Sequence, residues 1–590
     1  MKKTAILLFV LIFTVISTTQ LFSQQNAEDE KFQKILDSYF DAYWSFYPTA
    51  ATLAGFTKYN DKLEDFREKT IEKRRDEMDA FNKQIVVDIN KQILSPDFHI
   101  DHTLIVNALD IDVMQHEMLV PWEYNPLYIN TILMNCIRAL FTEGSTPTEA
   151  QAKNAESRLK DLERFIAESK KSMKTPAEIY TQTAINQFPA IINFYKNELP
   201  GIIGQCPDSV KTKLQANLAK VIPALDDFQN FLQNELLPRS AGSFRLMEAH
   251  ARLVRTTFQN NIPVQEMLAQ AEADAKNIRR EMLKTCFALY KIMDPAFDIE
   301  NPPANLNANE DQLINSVVFH IFDKIKNRHV TKDEFTAKIN SLITEVKSYL
   351  EDKQFADLPP DSLEIVPAPP EALQTSWLKL VFPKPYDPNG TFSLQITPFP
   401  EDMAEDKLQL LLEEYTNMFL PFWTTGTIYP GYFVPAVKTH PNASLVRKLF
   451  PNKPVLMGWP YMFGEQMMKS GYSDYNLKFR LNQLKFDLHP VVSFIVEFHT
   501  HEDNWTKEDA VNYMTRVGFY TQSEAERVWD EILLNPLSNA YAYVGQQEYR
   551  ALEKEYKKLK GDSYNQKEFL SEVLSFGAIP FRYLKDLILQ

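Results

Sequence analysis

From Phe32 onward the apolar residues of this chain recur at spacings of three and four: Ile35, Leu36, Tyr39, Phe40, Tyr43 and Trp44. Only a helix places such a series on one face, so the stripe predicts an amphipathic helix, ended by Pro48 and Gly55. The same spacing returns over residues 70–92, 102–118, 157–172, 210–235, 264–290 and 333–350, and again over 405–422, 457–469, 506–517 and 566–576. Thr506 and Asp509 stand at capping-box spacing. Glycine supports this reading by its scarcity. There are only 15 in 590 residues, and glycine is what tight hairpins and phosphate-cradling loops need most.

The pattern breaks between 355 and 401, where Pro359, Pro360, Pro367, Pro369, Pro370, Pro383, Pro385, Pro388, Pro398 and Pro400 exclude a helix. Residues 378–382 and 391–396 read as strands flanking an Asn389-Gly390 hairpin turn. The expectation is a mainly α fold, one large continuous helical body with a small β-hairpin region near 360–400. Its parts are residues 25–355 and 356–590.

Residues 1–24 read as a removable secretory signal. Lys2 and Lys3 form a positive head, residues 5–16 carry no charge, and cleavage is expected near 23–25. The apolar run is about a dozen residues, short of the roughly 20 a bilayer-crossing helix needs. No cysteine near the junction could take a lipid, and no later stretch is long and apolar enough to span. A periplasmic or secreted protein with no membrane span in its mature chain is expected.

Net charge is -15, and loss of Lys2 and Lys3 with the signal makes it two units more negative. Nucleic acid and anionic membranes demand a cationic surface, so both are unexpected partners. Cys136, Cys206 and Cys286 are an odd count that allows at most one internal disulfide. The chain has no Cys-x-x-Cys.

Most catalytic signatures fail on residue content. There is no Gly-x-Ser-x-Gly elbow, no Walker loop and no dinucleotide fingerprint. A zinc peptidase needs two His one helical turn apart with a Glu beside the first. His116-Glu117 begins that pattern, but Val stands at 120; His501-Glu502 begins it again, but Trp stands at 505. Surface or capping roles are the expectation for both pairs. In an extended segment His499 and His501 would share a face, but no third ligand is apparent, and solvated loop positions are expected. His440 and His489 each precede proline and read as turn residues. Trp122, Tyr124, Trp459, Tyr461, Phe463, Tyr541 and Tyr543 lie near Pro or Gly and would suit either a core or a ligand groove.

Several stretches, in order, resemble domain-of-unknown-function family 885, a family of zincin-like bacterial proteins. They are residues 47–55 (Tyr-Pro-Thr-Ala-Ala-Thr-Leu-Ala-Gly), 122–126 (Trp-Glu-Tyr-Asn-Pro), Phe244-Arg-Leu, 504–511, Val544-Gly-Gln, and 568–574 with Gly577 and Pro580 behind. The resemblance implies a metallopeptidase-like site built on His-Glu-x-x-Pro-Gly-His and a later Glu-Gly-Trp. Here the first motif reads Gly426-Thr427-Ile428-Tyr429-Pro430-Gly431-Tyr432, and Met457 precedes Gly458-Trp459 where the Glu belongs. Val491 and Ile495 stand where the family has Arg and Asp, and Leu570 where it has a late His. A thioether is a poor ligand for a borderline cation such as zinc.

The resemblance therefore implies a member whose metal site is degenerate, with no catalytic residues, metal or cofactor expected. A peptide or an exported protein would be the ligand, bound by an edge strand near Asn389-Gly390 and a cleft lined by Tyr429, Pro430, Gly431, Trp459, Tyr461, His499, Tyr543 and Gly545. The alternative is an active extracytoplasmic hydrolase with a non-standard site: a carboxylate pair, or a metal held by His499, His501 and an acid.

Overall fold

Apolar spacing of three and four becomes helix after helix in a computed structural model of the chain. It describes residues 2–589 apart from 143, 261, 294–308, 327, 356–357, 360–362, 369–377, 388–389, 398, 400–402, 440–442 and 473–475, with backbone alone for 2–23 and 378. The fold is mainly helical, with one small three-stranded sheet. Two compact units are formed. The first comprises Met1–Gly242 with Lys384–Asp387 and Ser444–Phe450, and the second Ser243–Pro383, Pro388–Ala443 and Pro451–Gln590.

In the first unit the expected stripe lies on the helix Lys2–Phe46. A short helix Pro48–Ala54 follows, stopped by Gly55 in the left-handed conformation at φ 87°, which glycine adopts without Cβ strain. Glu149–Ser172 starts earlier than its apolar spacing indicates because Thr148 and Gln151 form a reciprocal capping box. The core is drawn from this helix, Pro126–Arg138, Glu178–Asn193 and Asp208–Phe231. At its edge Arg158, fully buried, donates to the carbonyls of Lys62 (2.7 Å), Cys136 (2.6 Å) and Pro48 (3.0 Å) and to Thr52 Oγ1 (2.7 Å). All three cysteines are free and buried. Among the described residues no helix is long and apolar enough to cross a membrane.

The second unit holds the sheet. β1 (Glu364–Pro367) and β2 (Leu378–Val381) flank the central β3 (Ser393–Ile396), β1 running parallel to it and β2 antiparallel. Antiparallel pairing of β2 with β3 agrees with the sequence, but the register does not fit a two-residue turn. Val381 pairs with Ser393, so the connection runs over 382–392; Asn389 lies outside the described residues. Pro383 and Pro385 cannot donate to a ladder, and Lys384–Asp387 packs with the first unit, where Trp44 Nε1 donates to Tyr386 Oη at 2.9 Å.

The helix expected over 405–422 is two, Glu405–Glu414 and Leu420–Thr427, the second opening on Pro421 in its first turn. The Thr506–Asp509 box caps Lys507–Gly518 as expected. Two long helices, Leu477–Glu502 and Ala540–Lys560, have no counterpart in the periodicity reading.

Candidate functional site

Four segments bearing the positions compared above with the family's motif lie in packed helices of the second unit. The helix Leu420–Thr427, which bears Gly426 and Thr427, packs on Lys453–Lys469, which bears Met457, Trp459 and Tyr461. Both pack on Leu477–Glu502, which bears Val491 and Ile495. The helix Phe433–Thr439, just after Tyr432, packs on Gln566–Ser575, which bears Leu570.

The space beside Gly426 is taken. A Cβ on Gly426 would stand 2.3 Å from Phe486 Cζ, and one on Gly431 would stand 1.9 Å from the Gly426 carbonyl oxygen. The Phe486 ring in turn stacks on Tyr461, centroids 4.7 Å apart. Thr427 Oγ1 donates to the Trp423 carbonyl and is thereby committed to its own helix. Burial holds the Tyr432 and Tyr461 hydroxyls well above the usual phenol range, so both stay protonated. Val491, Ile495 and Leu570 are core residues.

Polar chemistry survives beside this apolar filling. Asp487 is buried, and burial holds its carboxyl up at about 7, with the Arg550 guanidinium pulling the other way. Arg550 Nε donates to Glu465 Oε2 at 3.0 Å. The field of the Asp487 carboxylate also reaches Tyr461.

A second buried cluster joins the start of Glu248–Phe258 to the end of Leu477–Glu502. His250 Nδ1 lies 2.9 Å from Glu502 Oε1 and its Nε2 lies 3.6 Å from Glu497 Oε1. Glu497 Oε1 also accepts the Leu537 N–H. The His250 and His501 rings stack at 4.8 Å. Burial pulls His250 down, but the two carboxylates outweigh it and raise its pKa on balance. Burial, then the neighbouring His250, holds His501 down at about 3. The arrangement places the His250 imidazole between the Glu497 and Glu502 carboxyl groups, with His501 stacked on its face.

These positions correct the histidine expectations. His501 is fully buried in a helix, not in an extended or solvated segment, because residues 477–502 are helical throughout. His489 lies inside the same helix rather than at a turn, its ring 3.8 Å from that of Tyr520. His116 is not at the surface either. It packs between Phe46 and Trp122, and burial holds it down at about 4. His440 lies outside the described residues. His499 sits at the helix end, stacked on Trp505 at 4.4 Å with Nδ1 2.7 Å from Asp503 Oδ2. Among the described residues no group of three or more His, Cys, Asp or Glu is placed to hold a metal ion.

Of the residues expected to line a cleft, Tyr429, Gly431 and Trp459 are buried, Trp459 against Tyr549. Pro430 follows Tyr429 directly and accepts the Val434 N–H on its carbonyl. Gly545 is the point where Ala540–Lys560 meets Lys453–Lys469. A Cβ on it would stand 2.8 Å from Gly458 Cα. Tyr543 lies farther along and lines a cavity with the 260–270 segment. Sequence reasoning missed Asp487, Glu497, His250 and Arg550. The signal for the first two was a carboxylate set between apolar residues, Phe486-Asp487-Leu488 and Ile495-Val496-Glu497-Phe498, since buried charge is rare without a partner.

No curated protein matches the chain in sequence. Two solved structures share its fold. One, described as a lipoprotein of unknown function from Shewanella oneidensis, has a TM-score of 0.80 at 22% identity, over 95% of this chain and 100% of its own. The other, described as a lipoprotein from Colwellia psychrerythraea, has a TM-score of 0.72 at 15% identity, over 95% and 98%. At such identities the likeness speaks to the fold alone. Residues 48–588 match the family described as "Bacterial protein of unknown function (DUF885)", and because that match spans most of the chain, the protein belongs to this family.

Proposed function

We propose that this chain is an exported, non-catalytic binding member of its family, one that keeps the helical body and has lost the zincin-like metal site. The observation that carries the reading is the Phe486 ring in the space a side chain at 426 would need. The groups around it argue the same way. A Thr427 hydroxyl tied to its helix, a protonated Tyr432 and the Met457 thioether supply neither hard ligands nor a base. Unpaired buried carboxylates and imidazoles would each be costly once a metal is lost, so an apolar refill is the stable outcome. The ligand is a peptide or an exported protein, and β1 and β2, at the sheet edges, offer main-chain hydrogen bonds to an extended segment.

A second reading, a hydrolase with a non-standard site, draws on Asp487, whose carboxyl near 7 is in the range of a general base. One experiment separates them. Metal content by mass spectrometry and turnover of a mixed peptide library should both be null for the purified protein. Stoichiometric zinc with peptide hydrolysis would overturn the binding reading, and metal-free hydrolysis abolished by Asp487→Asn would establish the second.

A further inference from the structure

A half-open cavity of about 230 Å³ lies between the Ala540–Lys560 helix and the start of Val264–Met293. That is below the roughly 300–1,000 Å³ of drug-sized sites, so it fits one small group rather than a whole cofactor. Three chemistries meet on its wall. Ile262, Met267 and Val544 supply an apolar patch, Glu266 and Glu548 supply carboxylates, and no Lys or Arg lines it. Among the described residues neither Glu has an ion-pair partner within 4 Å, and the Glu548 carboxyl is hydrogen-bonded by Asn260 on the same wall. Of the nearby cations, Lys585 pairs with Glu555 at 2.9 Å while its charge also reaches Glu548, and Arg550 pairs with Glu465 at 3.0 Å. Asp274 adds negative charge behind the wall, accepting from Tyr543 Oη at 2.9 Å and Gln270 Nε2 at 2.9 Å. Gln547, also on the wall, keeps a buried side-chain N–H with no acceptor.

We propose that this cavity binds the free N-terminal residue of a peptide with an aliphatic side chain: ammonium to Glu266 and Glu548, side chain on Met267 and Val544, first carbonyl to the Gln547 amide. Each wall chemistry then has a complement. The buried Gln547 donor gains the acceptor it lacks, and an unsatisfied donor of that kind is otherwise a net cost. The proposal deepens the binding reading above and rests on it.

Calorimetric titration of the purified protein with Leu-Gly-Gly, its N-acetyl form, Asp-Gly-Gly and n-pentylamine tests it. Leu-Gly-Gly should bind saturably, the acetylated and Asp-led peptides at least tenfold more weakly. Pentylamine, which has ammonium and stem but no carbonyl, should fall between. Glu266→Gln with Glu548→Gln should weaken Leu-Gly-Gly at least tenfold. Glu266 is exposed, so Glu266→Gln alone serves if the double variant does not fold. Equal binding of the acetylated peptide, no saturable binding of Leu-Gly-Gly, or indifference to the Glu substitutions would each overturn the proposal. A zinc-dependent peptidase activity would sink the non-catalytic reading while leaving these titrations interpretable, so the two failures are distinct.

Discussion

Phe486 Cζ lies 2.3 Å from where a Cβ on Gly426 would stand, so the two positions share one volume. Placing a histidine at 426 without moving the ring overfills the site, and overpacking typically costs about 1–3 kcal/mol. Gly426→His should lower unfolding free energy in urea by at least that much. Phe486→Ala leaves a cavity and should cost about 3–5 kcal/mol alone. Combined, the two should cost less than their sum, because the second opens the space the first requires. Strict additivity would mean that the ring does not occupy the 426 site.

Gly458 and Gly545 make the same point between helices. A Cβ on Gly545 would stand 1.9 Å from the Pro454 carbonyl oxygen, while one on Gly464, in the same Lys453–Lys469 helix as Gly458, meets nothing within 4 Å. Alanine is favoured over glycine in a helix interior by about 1 kcal/mol. Gly464→Ala should therefore raise stability by up to that amount, and Gly545→Ala should lower it by about 2 kcal/mol or more. Thermal melts of both variants that moved in the same direction would refute the close approach.

Arg158 holds the first unit together through a fan of donors rather than through a charge pair, reaching Lys62, Cys136, Pro48 and Thr52 at 2.6–3.0 Å. A lysine carries three donors on one nitrogen and cannot reproduce a planar fork of five. Arg158→Lys should cost nearly as much as Arg158→Met, about 3 kcal/mol or more, because several buried acceptors lose their donor at about 1–3 kcal/mol each, measured as urea unfolding. Full stability in the lysine variant would show that charge alone suffices there.

The helices with one apolar stripe were legible because water on the opposite face forces polar residues there, as at Phe32 to Trp44. Leu477–Glu502 was not, since it is buried nearly throughout, at polar positions such as Asn482, Gln483, Asp487, Glu497 and His501 as well as at apolar ones, leaving no stripe to detect. Its misreading carried His489, His499 and His501 into turns and loops. The ring that fills the space beside Gly426 could not be named from the sequence. Phe486 lies about sixty residues beyond Gly426 and marks itself by no local pattern. His250 and Glu497 are farther apart still, and only folding brings them within 3.6 Å.

Two buried groups in the second unit give opposite pH dependences. Asp487 titrates at 3.8 when unfolded and is held by burial at about 7 when folded. Between those values the folded state keeps a proton that the unfolded state has lost, so stability falls as pH rises, by up to about 1.4 kcal/mol per unit. His501 titrates at 6.5 when unfolded and at about 3 when folded. The unfolded state there binds a proton that the folded state excludes, so this contribution is intact above 6.5 and is lost as pH falls toward 3. The two offset each other between about 4 and 6.5. Asp487→Asn removes one side only. Its urea stability should match the native protein near pH 4 and exceed it by a few kcal/mol at pH 8, the gap opening between about pH 4 and 7. A stability difference that stays constant from pH 4 to 8 would mean that Asp487 ionises as freely in the folded protein as in the unfolded chain.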